Sequence, residues 1–201
     1  MLPALNTLAE QQSGQTKNTE DAITHFLDYA ATNPSAIIQY KACDMILYID
    51  IDASYLSEPS SCSRTGRNYY LISLTTDPKK SLNLPPPANG PIHTECSILN
   101  HVVASGAKAE VGGLFQNGKT AVPLRITLHE LGFTQPPTPI KIDNSAAEGI
   151  VTATVRQKRS KAMGMRFYWM NCSCDDAFGC RVVYFYWGWW LSKTEFMECN
   201  S

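Results

Sequence analysis

Charge is scarce in this chain of 201 residues: Asp, Glu, Lys and Arg make up 17% and nearly cancel, leaving a formal net charge of -1. With 44% hydrophobic residues beside it, so low a charged fraction excludes a disordered or supercharged protein. It also excludes a global basic field, so any contact with nucleic acid must come from a local patch. No uninterrupted apolar run approaches about 18 residues, which excludes a spanning helix. The opening MLPALNTLAEQQSG has neither a basic start nor a sustained apolar core, so it does not read as a secretory signal. No CxxC pair occurs. The seven cysteines, at 43, 62, 96, 172, 174, 180 and 199, form an odd, scattered set unlike a secreted disulfide framework. Cys172-x-Cys174 is too tight for a usual zinc site. The cysteines read as buried small hydrophobes in a reducing compartment, which places the protein inside the cell, in cytoplasm or nucleus. His129-Glu130-Leu131-Gly132 lacks the second histidine of HExxH, and there is no GxSxG, P-loop or GxGxxG. Asn171-Cys172-Ser173 fits a glycosylation sequon, but its context is not secretory.

What remains fits one domain with an appended arm: an N-terminal arm and linker helix over 1–40 and a globular domain over 41–201. Residues 1–18 read as polar and loose. Asn18 and Thr19 can cap a helix over Glu20–Ala31, where Ile23, Phe26, Leu27 and Ala30 recur at helical spacing. Its apolar face needs a partner surface, in the domain or upstream. Asn33-Pro34 stops it. Strands are expected at Ala42–Ile51, Asn68–Leu74 and Pro91–Cys96, with Glu58–Gly66 as the turn of a first hairpin. Ser97 is expected to cap a helix to Phe115, followed by a second helix over Val122–Leu131 closed by Gly132. A short strand at Pro139–Ile142, helices at Ser145–Ala153 and Ser160–Asn171, and a buried strand at Cys180–Trp187 complete the order. Three consecutive strands, then helices alternating with single strands, imply an α/β protein with a mixed sheet covered by helices.

Three acids stand where chemistry is expected. Asp52 and Asp143 follow predicted strands, and ligands collect outside the carboxyl ends of strands in open α/β sheets. Either alone would pass as a turn residue. Asp50 lies on the same strand face as Asp52 by period two. Glu110 has Gly106, Ala107, Val111 and Leu114 as helical neighbours, so its carboxylate lies on or beside an apolar face. There it costs several kcal/mol unless paired or metal-bound. Its bland reading is a flank residue whose head reaches water. Gly106 and Ala107 would let the helix approach the sheet. Carboxylates from two strand ends and a helix suit Mg²⁺ or Mn²⁺, and two such ions about 4 Å apart would clamp a phosphodiester for attack by water. The stretch RQKRSKAMGMR, with Arg156, Lys158, Arg159 and Lys161, is the one local patch suited to phosphates. Phe167-Tyr168-Trp169 behind it read as core.

The runs ASYLSEPSSCSRTGRNYYLISL, NGPIHTECSILNHVVASGAKAEVGGLF, LHELGFTQPPTPIKIDNSAAEGI and QKRSKAMGMRFYW, in this order and spacing, resemble the ribonuclease H region of copia-type retrotransposon polyproteins. The resemblance covers about residues 20–187. It implies the ribonuclease H-like fold, a five-stranded mixed sheet flanked by helices. It also implies an endonuclease that uses divalent metal to cut the RNA strand of RNA–DNA hybrids during reverse transcription. By position, Asp52 resembles the first catalytic acid, Glu110 the helix acid and Asp143 the third. Asp52 and Asp143 would hold or bridge the ions, and Glu110 would hold one and position the attacking water. Lys108 departs from the family's acidic motif at a position that is not a ligand. The family's fourth acid lies in an Asn-Leu-Ala-Asp-Tyr-Phe-Thr-Lys-like segment, and here Glu195-Phe196 falls near that place. The resemblance implies a reverse transcriptase domain as partner in the same polyprotein, of which this chain would be a piece. The alternative is a decayed remnant that only binds nucleic acid or packs against a polymerase.

Overall fold

The computed structural model describes residues 2–35, 37–58, 61–73, 89–100, 103–151 and 180–184, the last of these for its backbone. In chain order the elements are α1 (Leu2–Glu10), α2 (Lys17–Thr32), β1 (Ile46–Glu58), β2 (Cys62–Ile72), β3 (Pro91–Leu99), α3 (Gly106–Glu130), β4 (Thr138–Ile142), α4 (Ser145–Val151) and β5 (Cys180–Tyr184). The five strands form one sheet in the order β3-β2-β1-β4-β5. β1 pairs antiparallel with β2, and β2 antiparallel with β3. β4 runs parallel to both β1 and β5. The mixed sheet flanked by helices therefore matches the expected architecture. Among the described residues, no helix is long and apolar enough to cross a membrane.

Alternation along β1 divides its two faces. Leu47, Ile49 and Ile51 join Ile140 and Ile142 of β4 and Val111, Leu114, Ala121 and Leu128 of α3 in the main core. Ile46 and Tyr48 point the other way, against Ile72 and Tyr70. The far end of α3 is fixed by buried Arg125, which donates to the Pro136 carbonyl at 2.6 Å, to Thr138 Oγ1 and to the Gln135 carbonyl at 3.2 Å. Gln135 in turn accepts from Leu47 N–H at 3.0 Å and donates to the Met45 carbonyl at 2.8 Å. These bonds set β4 beside β1 in a defined register, Ile49 opposite Ile140 and Asp50 opposite Lys141.

Several expected elements are corrected. The stretch 1–18, expected to be loose, contains a helix over Leu2–Glu10. The second helix starts at Lys17 rather than Glu20, because Thr16, not Asn18 or Thr19, caps it in a reciprocal box with Thr19. β1 does not stop at Ile51 but runs to Glu58, and Glu58–Gly66 is mostly strand, since β2 begins at Cys62. Ala53 pairs with Thr65, Ser54 with Arg64 and Glu58 with Cys62, while Ser63 pairs with Leu99 of β3, so a composition that reads as a turn is overridden by cross-strand pairing. Ser97 caps nothing. Ser97, Ile98 and Leu99 end β3, and the helix begins after the cap Ser105, whose side chain accepts from Lys108 N–H. The two helices expected over 97–131 are one, α3, continuous through Pro123. Cys43, Cys62 and Cys96 are in no disulfide and are half-buried rather than core. The helix expected at Ser160–Asn171 lies outside the described residues.

Gly113, not Gly106, is where α3 approaches the sheet closely. A Cβ at Gly113 would lie 2.8 Å from Thr65 Oγ1, whereas one at Gly106 would meet nothing nearer than 4.0 Å. Gly113→Ala is therefore expected to destabilise the fold by about 1–3 kcal/mol, the usual cost of overpacking. Gly106→Ala should stay within about 0.5 kcal/mol of the parent. Urea unfolding midpoints at constant m-value measure both.

Candidate metal centre

Asp52, Glu110 and Asp143 come together. Each offers a carboxylate oxygen, and the three oxygens lie within 4.8 Å of one another. Three local features place them. β4 pairs with β1 only as far as Asp50, so the β4 side of β1 is open beyond it. Into that opening comes Glu110 from the second turn of α3, and its Oε1 accepts the Ala53 N–H at 2.9 Å. Asp143 follows the last residue of β4. Asn144 Oδ1 then accepts from Ala146 and Ala147 N–H at 3.0 and 3.1 Å, capping α4 and turning the chain away at that point. Asp52 sits within β1 rather than at its end. Its carbonyl accepts from Thr65 Oγ1 at 3.3 Å, the same hydroxyl that meets the face of Gly113.

The three carboxyls differ in surroundings. Asp52 and Asp143 are exposed, whereas Glu110 is only 3% exposed. Its Oε2 is buried without a hydrogen-bond partner. Burial pushes the Glu110 carboxyl up to about 8, against the pull of the Ala53 N–H, and the negative charges of Asp143 and Asp52 push the same way. A buried carboxyl oxygen without a donor is stable only with a proton on it or a cation beside it. Three oxygen donors without a nitrogen or sulfur are the set that hard divalent cations take. The residues thus fit a metal ion on two independent grounds, donor chemistry and an orphaned buried oxygen.

Among the remaining expected site residues, Glu195 and the basic run Arg156, Lys158, Arg159 and Lys161 lie outside the described residues. Three residues that build the site were not singled out beforehand for that role: Ser105, Gly113 and Asn144. Two had legible signals. Gly112-Gly113 inside a helical stretch marks close packing, and an Asn directly before a helical run marks a cap.

No family model and no curated protein matches the chain. Among solved structures it is similar to LC11-RNase H1, isolated from compost by a metagenomic approach. The identity is 11%, the TM-score 0.47, and 71% of this chain and 84% of that one are covered. The same enzyme in complex with an RNA/DNA hybrid gives 10% and 0.45, with 70% and 83% covered. The N-terminal RNase H domain of a Mycobacterium tuberculosis protein gives 10% and 0.45, with 71% and 81% covered.

The raised Glu110 carboxyl has a consequence for stability. Its folded value, about 8, lies above the ordinary 4.5, so the folded state holds the proton more tightly than the unfolded state. Its favourable contribution is complete below about pH 4.5 and is lost as pH rises toward 8. Without metal, the melting temperature of the parent should therefore fall relative to that of Glu110→Gln between pH 5 and pH 8, by about several degrees. Millimolar Mg²⁺ should restore the parent at pH 8 more than at pH 5, since a cation takes the place of the proton. Thermal melts at matched ionic strength check both.

Proposed function

We propose that this chain is a divalent-metal endoribonuclease that cuts the RNA strand of RNA–DNA hybrids, acting as the ribonuclease H part of a copia-type retrotransposon polyprotein. The observation that carries the reading is the convergence of Asp52, Glu110 and Asp143 from β1, α3 and the end of β4. These are the positions at which the sequence motifs resemble the catalytic acids of that family. The sheet order supports it, because parallel β1 and β4 at the centre bring two of the acids to the same end. Asp52, Glu110 and Asp143 would hold Mg²⁺ or Mn²⁺. Bound there, a pair of such ions would neutralise the scissile phosphate and lower the pKa of an attacking water. Glu110, ionised in that state and anchored through Oε1 to Ala53, would keep its other oxygen at a fixed place for the ion and its water. Exposed Asp52 and Asp143 would face the backbone of the nucleic acid. Glu195 would supply the fourth acid.

Specificity for hybrid would come from the 2′-hydroxyl on the strand to be cut and from phosphate contacts by Arg156, Lys158, Arg159 and Lys161. In the proposed division at residue 40, the arm would face the reverse transcriptase domain of the same polyprotein. In support, Ile23 and Leu27 on α2 are 37% and 59% exposed, and neither belongs to the core of the sheet.

The test is cleavage of a labelled RNA–DNA hybrid, with duplex DNA as control. The parent should cut the RNA strand only when Mg²⁺ or Mn²⁺ is present, and Asp52→Asn and Asp143→Asn should reduce cleavage to background while sparing much of the binding. Cleavage that survives both changes, or that proceeds equally in chelator, would overturn the assignment. The doubly changed Arg159→Ala, Lys161→Ala protein should bind hybrid more weakly. Its salt dependence should be flatter by roughly one unit for each phosphate that the two side chains neutralise in the parent. An unchanged affinity and slope in a binding titration would remove that run from the nucleic-acid interface.

A further inference from the structure

Asp50 and Lys141 face each other in register across the parallel strands β1 and β4. Lys141 Nζ lies 3.2 Å from Asp50 Oδ2, and the two side chains are 20% (Lys141) and 33% (Asp50) exposed. Alternation places both on the sheet face opposite Ile49, Ile51, Ile140 and Ile142, which fill the main core. Each stands two residues before a site acid, Asp50 before Asp52 and Lys141 before Asp143, a step of about 6.8 Å along a strand. Neither belongs to the group of three converging carboxylates. By the same alternation Asp50 shares its face of β1 with Asp52. A partly exposed ion pair of this kind adds little to stability, while its two charges lie next to a site whose business is charge.

We propose that Asp50 and Lys141 form a positioning pair that sets how tightly the adjoining carboxylates hold a divalent cation, Lys141 cancelling the charge of Asp50 so that the site acts with its own three acids alone. The inference rests on the reading of Asp52, Glu110 and Asp143 as a metal centre. Its physical content is directional. With Lys141 gone, Asp50 becomes an uncompensated fourth negative charge beside the site, and a divalent ion is drawn more strongly. With Asp50 gone, Lys141 becomes an uncompensated positive charge there, and the ion is repelled. A pair with a merely structural role has no such asymmetry, since removal of either partner breaks the same ion pair and loosens the same strands.

Mn²⁺ binding to the full chain, followed by its paramagnetic resonance signal, tests this in the parent, Lys141→Met, Asp50→Asn and the double variant. A unit charge about 7 Å from a divalent ion, in surroundings close to water, changes affinity by about tenfold. Lys141→Met should therefore bind Mn²⁺ about tenfold more tightly than the parent and Asp50→Asn about tenfold more weakly. The double variant should return to within about threefold of the parent. Both single shifts should shrink between about 0.05 and 0.5 M KCl as the charges are screened. Single variants that move in the same direction, or not at all, would overturn the inference while leaving the metal centre standing. A parent that takes up no Mn²⁺ would overturn the metal centre and this inference with it. Lys141→Gln and Asp50→Ser give the same comparison where a first variant does not fold.

Discussion

The hydrogen bond from Ala53 N–H to Glu110 Oε1 is the contact on which the arrangement of the site depends. It joins the second turn of α3 to the stretch of β1 that β4 leaves uncovered. Both partners are needed for separate reasons. An open strand edge beside a helix presents an N–H that must find an acceptor, and a carboxyl held at 3% exposure must find a donor. One bond satisfies both, and it leaves Oε2 buried without a hydrogen-bond partner on a carboxyl that lies beside the two exposed acids. The packing beneath it is arranged for that approach. Gly113 lets α3 come against Thr65, and Thr65 holds the Asp52 carbonyl, so the helix acid and the strand acid are set by one contact surface.

Electrostatics then makes the site conditional. A carboxyl raised to about 8 by burial and by two neighbouring acids keeps its proton in the absence of metal near neutral pH. This spares the fold three clustered negative charges. A divalent ion that displaced the proton would gain a third hard ligand already in place. The cost of ionising a buried acid would thereby be moved from the folding of the chain to the binding of the cation. The Asp50–Lys141 pair on the neighbouring positions extends the same balancing of charge, since an acid that is not needed as a ligand is matched by a lysine across the strand.

Much of the site was legible in the sequence. Asp52, Glu110 and Asp143 stand out because acids occur there at a strand, on an apolar helix face and after a strand. The structure brings these three together. The mixed sheet, too, follows from three consecutive strands succeeded by helices and single strands. What was not legible came from tertiary pairing that overrides local composition. The stretch Glu58–Gly66 reads as a turn, yet Glu58 ends β1 and β2 begins at Cys62, because each strand supplies the other's hydrogen bonds. Ser97 has the chemistry of a cap and lies in β3, while Ser105 caps α3, and local preference cannot choose between two such serines. Two helices, Ser97–Phe115 and Val122–Leu131, are expected from the sequence, and one helix, α3, stands in their place with Pro123 inside it. The sequence places the close approach at Gly106 and Ala107; Ala107 packs against the core, but the tightest approach is at Gly113, because helix position alone does not say which glycine meets a neighbouring strand.

The most direct measurement is the anomalous scattering of a crystal of the protein soaked in Mn²⁺. One peak, or two about 4 Å apart, at coordination distance from carboxylate oxygens of Asp52, Glu110 and Asp143 together is the predicted result. Crystals of Glu110→Gln treated in the same way should show a weaker peak or none. Mn²⁺ density that avoids Glu110, or that is absent from the end of β4 at saturating metal, would contradict the assignment of these three acids as a metal centre.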